Sequence, residues 1–416
     1  MIMLHTSDWH LGRSLLGRRR DEEFASFLNW LIAQLESRKV DILLVAGDVF
    51  DTVNPGHKAQ EIYYGFLVRV ASTGCRHVVI TSGNHDSPAF LEAPRSLLKM
   101  LRVHVIGVSS ELMEEEVLLL DNAHGEPSAL ILAVPFLRDR DLRDLEGGES
   151  FAEKDQKMRE AVKVHYHGLF EIANKRRHEL GFPHLPIVAM GHLFTVGGLT
   201  VEGDGVREIQ VGSLEGLPPD TFPEDLDYLA LGHLHVPQVL AGREYMRYSG
   251  SPIPMGFGEA GQKKSVCLLH FLPQSSKPRI ELLPIPSWQD LAVVQGNWEK
   301  IESRLGELVL EARSNCKSLW VEVRYDGQEL RPLLVQECQS LVAESSVEIF
   351  RIQNLHQAQI SRSGLKSVDQ NLEEMSPNEV FQSLLESRNI PQHQWTQLQN
   401  TFVEALNSLE VGTHEN

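Results

Sequence analysis

Five short segments in the first 240 residues carry side chains that bind metal ions. The segments are DWH at 8–10, GDVFD at 47–51, GNHD at 83–86, GH at 191–192 and GHLH at 232–235. Carboxylates, imidazoles and an amide oxygen together suit Mn²⁺, Fe²⁺ or Zn²⁺, whereas an all-oxygen set would favour Mg²⁺ or Ca²⁺. A spacing of two, as in Asp8/His10 and His233/His235, places both side chains on one side of an extended backbone. The pattern therefore predicts a metal site with mixed nitrogen and oxygen ligands.

The number of candidate ligands indicates two metal ions rather than one. The candidates are Asp8, His10, Asp48, Asn84, His192, His233 and His235. This set is too large for one open catalytic metal, but it suits two ions that share a bridging carboxylate. Two ions roughly 3.5–4 Å apart hold the attacking and leaving oxygens of a phosphoryl displacement.

His85 is left outside this ligand set, and Asp86 adjoins it in the sequence. A carboxylate beside a histidine raises the pKa of the ring and fixes its orientation, which suits a general acid. We therefore expect His85, supported by Asp86, to protonate the departing alkoxide.

Near-continuous apolar runs precede all five segments and predict strands that are buried on both faces. The runs cover 2–6, 41–46, 77–81, 129–134, 187–190 and 228–231. Amphipathic patterns at 24–35 and 59–70 predict helices between some of them. Strand–helix alternation predicts a layered α/β fold with its site at the strand ends. A glycine precedes Asp48, Asn84, His192 and His233, and it would permit the sharp turn that lifts each ligand off its strand.

A cluster of prolines at 273–286 marks a domain boundary after a first α/β unit at 1–285. Residues 286–360 then predict a small α+β domain, with helices at about 298–313 and 329–342 and strands at 319–324 and 347–352. A polar stretch at 361–375 predicts a linker. Residues 376–416 predict two amphipathic helices, whose apolar faces need a surface to cover, either on this chain or on a partner.

Composition limits the class of protein and its surroundings. The 416 residues include 39 Lys+Arg and 57 Asp+Glu, which gives a formal charge of −18. We expect no transmembrane span and no signal peptide. The four cysteines form no CxxC pair, which favours a reducing compartment, and we expect a cytoplasmic protein. Overall acidity argues against a nucleic-acid partner, but residues 1–110 hold 12 Lys+Arg against 11 Asp+Glu.

Four arginines follow the first metal-binding motif, namely Arg13, Arg18, Arg19 and Arg20. Guanidinium groups match the oxygens of a phosphodiester, so we expect this loop to contact DNA beside the metals. The alternative is an ordinary solvated loop that leads into a helix.

The succession DxH…GDxxD…GNHD…GH…GHxH resembles the signature of the calcineurin-like metallophosphoesterases. The phrases HTSDWHLG, LLVAGDVFD and LGHLH are most similar to the branch whose members work with an SbcC-type coiled-coil ATPase. The resemblance implies a β-sandwich core flanked by helices, followed by a small α+β capping domain and by C-terminal helices that bind the ATPase. The motifs cover about residues 1–260, and beyond them the resemblance is architectural.

The resemblance also implies a role for each motif residue. Asp8, His10 and His235 would hold the first metal, Asp48 would bridge, and Asn84, His192 and His233 would hold the second. His85 would stabilise the transition state or protonate the leaving group with the support of Asp86, and Asp51 would lie behind the ligands. The ligand set is complete, which argues against a scaffold that has lost its activity.

We therefore expect a nuclease with two Mn²⁺ ions, Fe²⁺ or Mg²⁺ being the other candidates. On the resemblance, it would be a 3′–5′ double-strand exonuclease and a single-strand and hairpin endonuclease in DNA repair, replication and recombination. The chain has no GxxxxGK[ST] motif, so any ATP hydrolysis must belong to the partner. The resemblance implies a homodimer within a heterotetramer with the ATPase, associated with the nucleoid. In the family, helices pair across a two-fold axis at the positions of two apolar stripes, which could also be ordinary core: Ile62, Phe66 and Val70, and Leu91, Leu97, Leu98 and Leu101. The alternative is a metallophosphoesterase that acts on nucleotides or phosphoproteins.

Overall fold

The computed structural model describes residues 1–142, 151–199, 216–273, 275–315, 317–329 and 331–355, together with 395 and 402. The strands are β1 (Ile2–Thr6), β2 (Ser14–Leu15), β3 (Arg18–Arg19), β4 (Ile42–Ala46), β5 (His77–Thr81), β6 (Val103–Ile106), β7 (Val117–Asp121), β8 (Pro127–Ala133), β9 (Ile187–His192), β10 (Tyr228–Gly232), β11 (Gln238–Leu240), β12 (Arg243–Tyr248), β13 (Ser265–His270), β14 (Arg279–Pro284), β15 (Asp290–Gly296), β16 (Leu319–Tyr325) and β17 (Val347–Asn354). The α-helices are α1 (Asp21–Ser37), α2 (His57–Val70), α3 (Pro88–Glu92), α4 (Arg95–Met100), α5 (Asp139–Leu142), α6 (Phe151–Leu180), α7 (Trp298–Asn315) and α8 (Leu334–Val342).

The first compact unit, Met1–Ala292, contains two six-stranded sheets. One sheet has the order β14-β13-β1-β4-β5-β6, with parallel pairing from β1 to β6. The other has the order β11-β12-β10-β9-β8-β7, with parallel pairing from β12 to β8. All six predicted apolar runs form strands in these sheets. The carboxyl ends of parallel strands form one edge of a sheet, which is where this class of fold places its sites.

The two sheets pack face to face, and helices cover their outer faces. Neighbouring residues of one strand point to opposite faces, so Leu44 packs between the sheets and Leu43 packs against the helical layer. Phe24 of α1 lies in the outer cluster with Leu43, and Leu169 of α6 covers the second sheet. The predicted β-sandwich flanked by helices is confirmed.

The apolar stripes of α2–α4 mostly serve this core. Phe66, Val70, Leu91 and Leu98 are buried against the first sheet, and Ile62 and Leu101 are partly buried there. Leu97 is 64% exposed. The stripes are therefore explained by packing within the chain, and a homodimer rests on the resemblance rather than on them.

The second compact unit begins at Val293 and contains a three-stranded sheet in the order β15-β16-β17. The predicted strands and the first predicted helix appear as β16, β17 and α7, whereas β15 was not predicted. Helix α8 begins at Leu334 rather than near 329 because Pro332 disfavours helical backbone at the residue before it. The predicted linker at 361–375 and the predicted helices at 376–416 lie outside the described residues, apart from 395 and 402. Within the described part of the chain, no helix is long and apolar enough to cross a membrane.

Candidate metal centre

Asp8 and His10 lie in the loop after β1 and have left-handed backbone, with φ of 52° and 47°. Such backbone is strained for residues other than glycine and is concentrated at functional sites. Hydrogen bonds to the loop after β4 hold the loop after β1 in this conformation: the Asp8 amide donates to the Gly47 carbonyl, and the His10 amide donates to the Asp48 carbonyl. The two side chains do converge, but the extended-backbone reason for expecting this was wrong.

Asp48 occupies the middle of the cluster and is buried. Its Oδ2 lies 3.5 Å from His10 Nε2 and 3.2 Å from His192 Nε2. Its Oδ1 accepts the backbone N–H of His85 at 2.9 Å. Asp48 itself has a left-handed φ of 48°. One carboxylate thus faces histidines from both sheets, a position that suits the predicted bridging role.

The glycines that precede the ligands serve mainly close packing rather than sharp turns. A Cβ on Gly83 would lie 2.1 Å from Asp48 Oδ1, and one on Gly232 would lie 1.9 Å from the Ala46 oxygen. Of the four glycines, Gly47 alone has left-handed backbone, with φ of 79°. The turn argument therefore holds for Gly47 and was wrong for the other three. A side chain at Gly83 or Gly232 would collide with Asp48 or His192, and one at Gly191 would collide with the Tyr166 hydroxyl.

The second predicted ligand group comes from three separate strand ends. The side-chain oxygen of Asn84 lies 3.1 Å from His192 Nε2 and 3.0 Å from His233 Nδ1. His192 Nδ1 donates to the Ala46 carbonyl at 2.9 Å, which directs Nε2 toward Asp48 and Asn84. The backbone N–H of His233, with φ of 101°, donates to Asp8 Oδ1. The two predicted ligand groups are therefore in direct contact, through His233 and Asp8.

Burial and the Asp48 charge act differently on these rings. Burial disfavours the charged form of His192, but the Asp48 carboxylate raises the pKa of His192 to about 9. Burial, followed by the charge of His192, lowers the pKa of His233 to about 3. The uncharged His233 ring is the form that can bind a metal ion.

His10 and His235 meet at their Nε2 atoms, which lie 3.1 Å apart. The Nδ1 atom of each ring faces a carboxylate, Asp51 at 3.3 Å and Glu259 at 3.1 Å. With both protons on Nδ1, two nitrogen lone pairs point at each other beside the Asp8 carboxylate. A metal ion beside the two Nε2 atoms would accept both lone pairs and balance the Asp8 carboxylate, so the residues fit a metal ion.

The described residues contain three metal-competent groupings. They are Asp8 with His10 and His235, Asp8 with Asp48 and His192, and His10 with Asp51 and His85. The first two overlap at Asp8 and have the His/Asp composition of a dimetal phosphoesterase. All seven candidate ligands lie in this one cluster, at strand ends of both sheets.

His85 lies at the partly exposed side of the cluster, where its ring is 4.9 Å from that of His10. Its Nδ1 donates to the Asp51 carbonyl at 2.9 Å, which leaves Nε2 for chemistry. Asp86 does not contact this ring. Its buried carboxylate accepts the backbone N–H groups of Gly83, Phe50 and Val49 at 2.8, 2.9 and 3.1 Å.

The prediction that Asp86 supports His85 therefore needs correction. Residues adjacent in a loop need not point the same way, and the Asp86 side chain turns inward to hold the loops after β4 and β5. The Asp51 carbonyl orients His85 instead. The Asp51 carboxylate lies behind the ligands as expected, between His10 Nδ1 and Arg13, whose Nη1 is 3.0 Å away.

The arginine loop divides into exposed and buried members. Arg18 and Arg19 are exposed on β3, and Arg19 forms an ion pair with Asp21. Arg20 is 2% exposed, makes two 2.7 Å hydrogen bonds to Glu23, and also donates to the Pro254 carbonyl. Because its guanidinium is inaccessible to a DNA strand, the predicted contact is not retained for Arg20.

Sequence reasoning missed Glu259, a buried carboxylate that contacts His235 and forms an ion pair with Lys264. Burial opposes its ionisation, but the hydrogen bond from His235 and the charge of Lys264 lower the pKa of Glu259 to about 2. The pair follows no metal-binding motif. An acid and a base five residues apart in a stretch rich in glycine and proline give only a weak signal.

Two family models and several relatives match this sequence. The calcineurin-like phosphoesterase family model matches residues 1–237, and a model described as the Type 5 capsule protein repressor C-terminal domain matches residues 287–389. The D subunit of the SbcCD nuclease of Escherichia coli K12 is 34% identical over 415 residues, which cover 100% of both chains.

Two further relatives carry the same name. The protein of Rhodobacter capsulatus is 39% identical over 292 residues, covering 69% of this chain and 70% of its own. That of Bacillus subtilis is 32% identical over 325 residues, covering 74% of this chain and 80% of its own. The fold, the clustered ligands and these matches together show that the chain belongs to the calcineurin-like phosphoesterases and, within them, to the family of the SbcCD nuclease D subunits.

Proposed function

We propose that this chain is a Mn²⁺-dependent DNA nuclease that hydrolyses phosphodiester bonds at a two-metal site. The observation that carries the proposal is the convergence of seven predicted ligands, from five strand ends in two sheets, into one cluster bordered by a partly exposed histidine. Family membership supplies the reaction class, and the relatives' name supplies the nuclease activity. The proposed activities are 3′–5′ exonuclease action on duplex ends and endonuclease action on single strands and hairpins.

In the proposed site, one metal is held by Asp8, His10 and His235 and the other by Asn84, His192 and His233, with Asp48 between them. Two divalent ions would favour deprotonation of a water and neutralise the charge of the phosphate. The chain itself fixes the tautomer of His192 through the Ala46 carbonyl, which accepts from Nδ1. Mixed nitrogen and oxygen ligands favour Mn²⁺, and Fe²⁺ also fits them.

His85 is proposed to donate a proton to the leaving 3′ oxygen. Its Nδ1 donates to the Asp51 carbonyl, so the protonated ring presents one N–H, at Nε2, toward the site. The ring also lies beside His10, close enough to the ligands to reach a scissile phosphate. Positioned proton transfer of this kind contributes roughly 10²–10⁴-fold to a rate.

Arg18 and Arg19 are the proposed DNA contacts. They are exposed on a short hairpin that follows His10 directly, so a strand bound at the metals passes near them. Arg13 forms an ion pair with the Asp51 carboxylate, so it is not among the proposed DNA contacts. The two divalent ions would add four positive charges beside Asp8 and Asp48, which offsets the acidity of the chain locally.

The proposed partner is an SbcC-type ATPase bound by residues 376–416, in a heterotetramer built on a homodimer of this protein. The relatives' name supports the pairing. The net charge of −18 supports it too, since an acidic protein binds DNA weakly and with strong salt dependence when alone. A role with DNA would place the complex in the cytoplasm.

The test is cleavage of end-labelled duplex and hairpin DNA by the purified chain with Mn²⁺, compared with Asp8→Asn. Asp225→Asn, which changes an exposed carboxylate, is the matched control. We expect cleavage by the parent and by Asp225→Asn and none by Asp8→Asn. Equal activity in all three would contradict the site, and turnover of mononucleotides or phosphopeptides without DNA cleavage would favour the alternative substrates.

A further inference from the structure

Glu259 contacts the ring of His235 at the edge opposite its proposed metal-binding nitrogen. Glu259 Oε1 lies 3.1 Å from Nδ1, and the two side chains are 0% and 2% exposed. A carboxylate oxygen at this site accepts, so Nδ1 carries the proton. The lone pair of His235 Nε2 is then directed at His10 and the first predicted metal position.

The other carboxylate oxygen, Oε2, is surrounded by donors. It accepts from Lys264 Nζ and from the backbone N–H of Met255 at 3.1 Å. The Ser251 hydroxyl lies 3.2 Å from Oε2 and 3.0 Å from the Ile253 carbonyl, so it has two acceptors for one proton. Lys264 Nζ also donates to the His235 carbonyl at 2.9 Å. The Lys264 charge balances that of Glu259, so the pair holds both the ring and the main chain of His235 while adding no net charge.

We infer that Glu259 is a positioning residue that sets the His235 tautomer required for binding the first metal. The inference rests on the two-metal site proposed above and deepens it. Groups that orient a ligating histidine typically change metal affinity by roughly 10–100-fold when they are removed. Because the groups around Oε2 donate hydrogen bonds, replacing Glu259 with glutamine should change the tautomer of His235 in a predictable way.

Glu259→Gln should reverse the tautomer rather than only weaken the contact. Because the Lys264 ammonium and the Met255 amide can only donate, and both donate to the Oε2 position, the amide oxygen of the new glutamine must take it. Its NH₂ group then faces His235 Nδ1, which has to accept. The ring proton moves to Nε2, which can no longer bind a metal ion.

The first readout is the ¹⁵N spectrum of histidines in the metal-free protein, with His235 assigned by comparison with His235→Gln. We expect the proton on Nδ1 in the parent and on Nε2 in Glu259→Gln. The second readout is the number of Mn²⁺ ions bound, measured by equilibrium dialysis. In Glu259→Gln this number should fall from two to one, and the affinity for the ion that still binds should be unchanged. Loss of stability alone would change neither the tautomer nor one metal selectively.

The matched control is Glu281→Gln, at the partly exposed Glu281–His270 contact of 3.3 Å on β14. It should bind both ions. Should the uncompensated charge of Lys264 prevent folding of Glu259→Gln, the double variant with Lys264→Met removes that charge while the Met255 amide still orients the glutamine oxygen. It should show the same tautomer and the same loss of one ion.

The outcomes separate the inference from the proposed function. An unchanged tautomer and two ions bound with parental affinity in the folded variant would overturn the inference alone. A parent that binds no Mn²⁺ would overturn the two-metal site, and the inference with it. A reversed tautomer together with loss of one ion supports both.

Discussion

The Asp86 carboxylate offers a test of how the site is held together. It accepts three backbone N–H groups, two at Oδ2 from Gly83 and Val49 and one at Oδ1 from Phe50. In Asp86→Asn, the amide oxygen keeps the position with two donors, and the NH₂ group then faces the Phe50 N–H. The change removes one hydrogen bond, weakens two and leaves a buried donor without an acceptor.

The cost can be worked from these contacts. Removing one hydrogen bond costs about 0.5–1.5 kcal/mol, and a buried unsatisfied donor costs about 1–3 kcal/mol. We therefore expect Asp86→Asn to lower the free energy of unfolding by about 3 kcal/mol. Burial, followed by the Asp48 charge, raises the pKa of Asp86 to about 6, so ionisation of Asp86 itself costs the folded protein stability as the pH rises through that value. The stability lost in Asp86→Asn should therefore be larger near pH 5 than near pH 8.

The assay is urea unfolding of the metal-free protein, followed by circular dichroism. Asp41→Asn is the control, because Asp41 is exposed and accepts one backbone N–H, from Ile2 at 2.7 Å. It should cost less than about 1 kcal/mol. Full stability of Asp86→Asn combined with a steep loss of cleavage would refute this reasoning and restore the direct support of His85.

Three further outcomes are expected. His85→Leu should retain two Mn²⁺ ions by elemental analysis while cleavage falls by roughly 10²–10⁴-fold, and loss of metal would show a ligand instead. Gly83→Ala should lose bound Mn²⁺ in the same measurement, because its Cβ would lie 2.1 Å from Asp48 Oδ1, and unchanged occupancy would contradict the packing. Arg18→Ala and Arg19→Ala should each lower the slope of DNA affinity against salt by about one, and an unchanged slope would exclude a phosphate contact.

The sequence predicted the elements of the site well because their signals are local. An apolar run such as 42–46 needs burial on both faces, and it became a central parallel strand. The polar residue that follows such a strand, such as Asp48, lies at the sheet edge where ligands collect. Residue type, order along the chain and strand ends were therefore enough to predict the fold class and the candidate ligands.

Side-chain partners were less predictable, as Arg20 and Asp86 show. Arg20 continues a basic run, yet it is buried against Glu23 and the Pro254 carbonyl. Asp86 adjoins His85, yet it binds backbone N–H groups of another loop. Adjacency in sequence does not fix the direction of a side chain in a loop, because unsatisfied buried donors elsewhere decide it.

By itself, the sequence determined which chemistry is available: the ligand types, their order and the strands that carry them. The tertiary structure alone decided which atoms face each other. It brought Glu259 against a histidine 24 residues away and placed His10 and His235 with their Nε2 atoms 3.1 Å apart. Ligand identity is a local property, whereas tautomer and orientation depend on packing between distant segments, which no local pattern encodes.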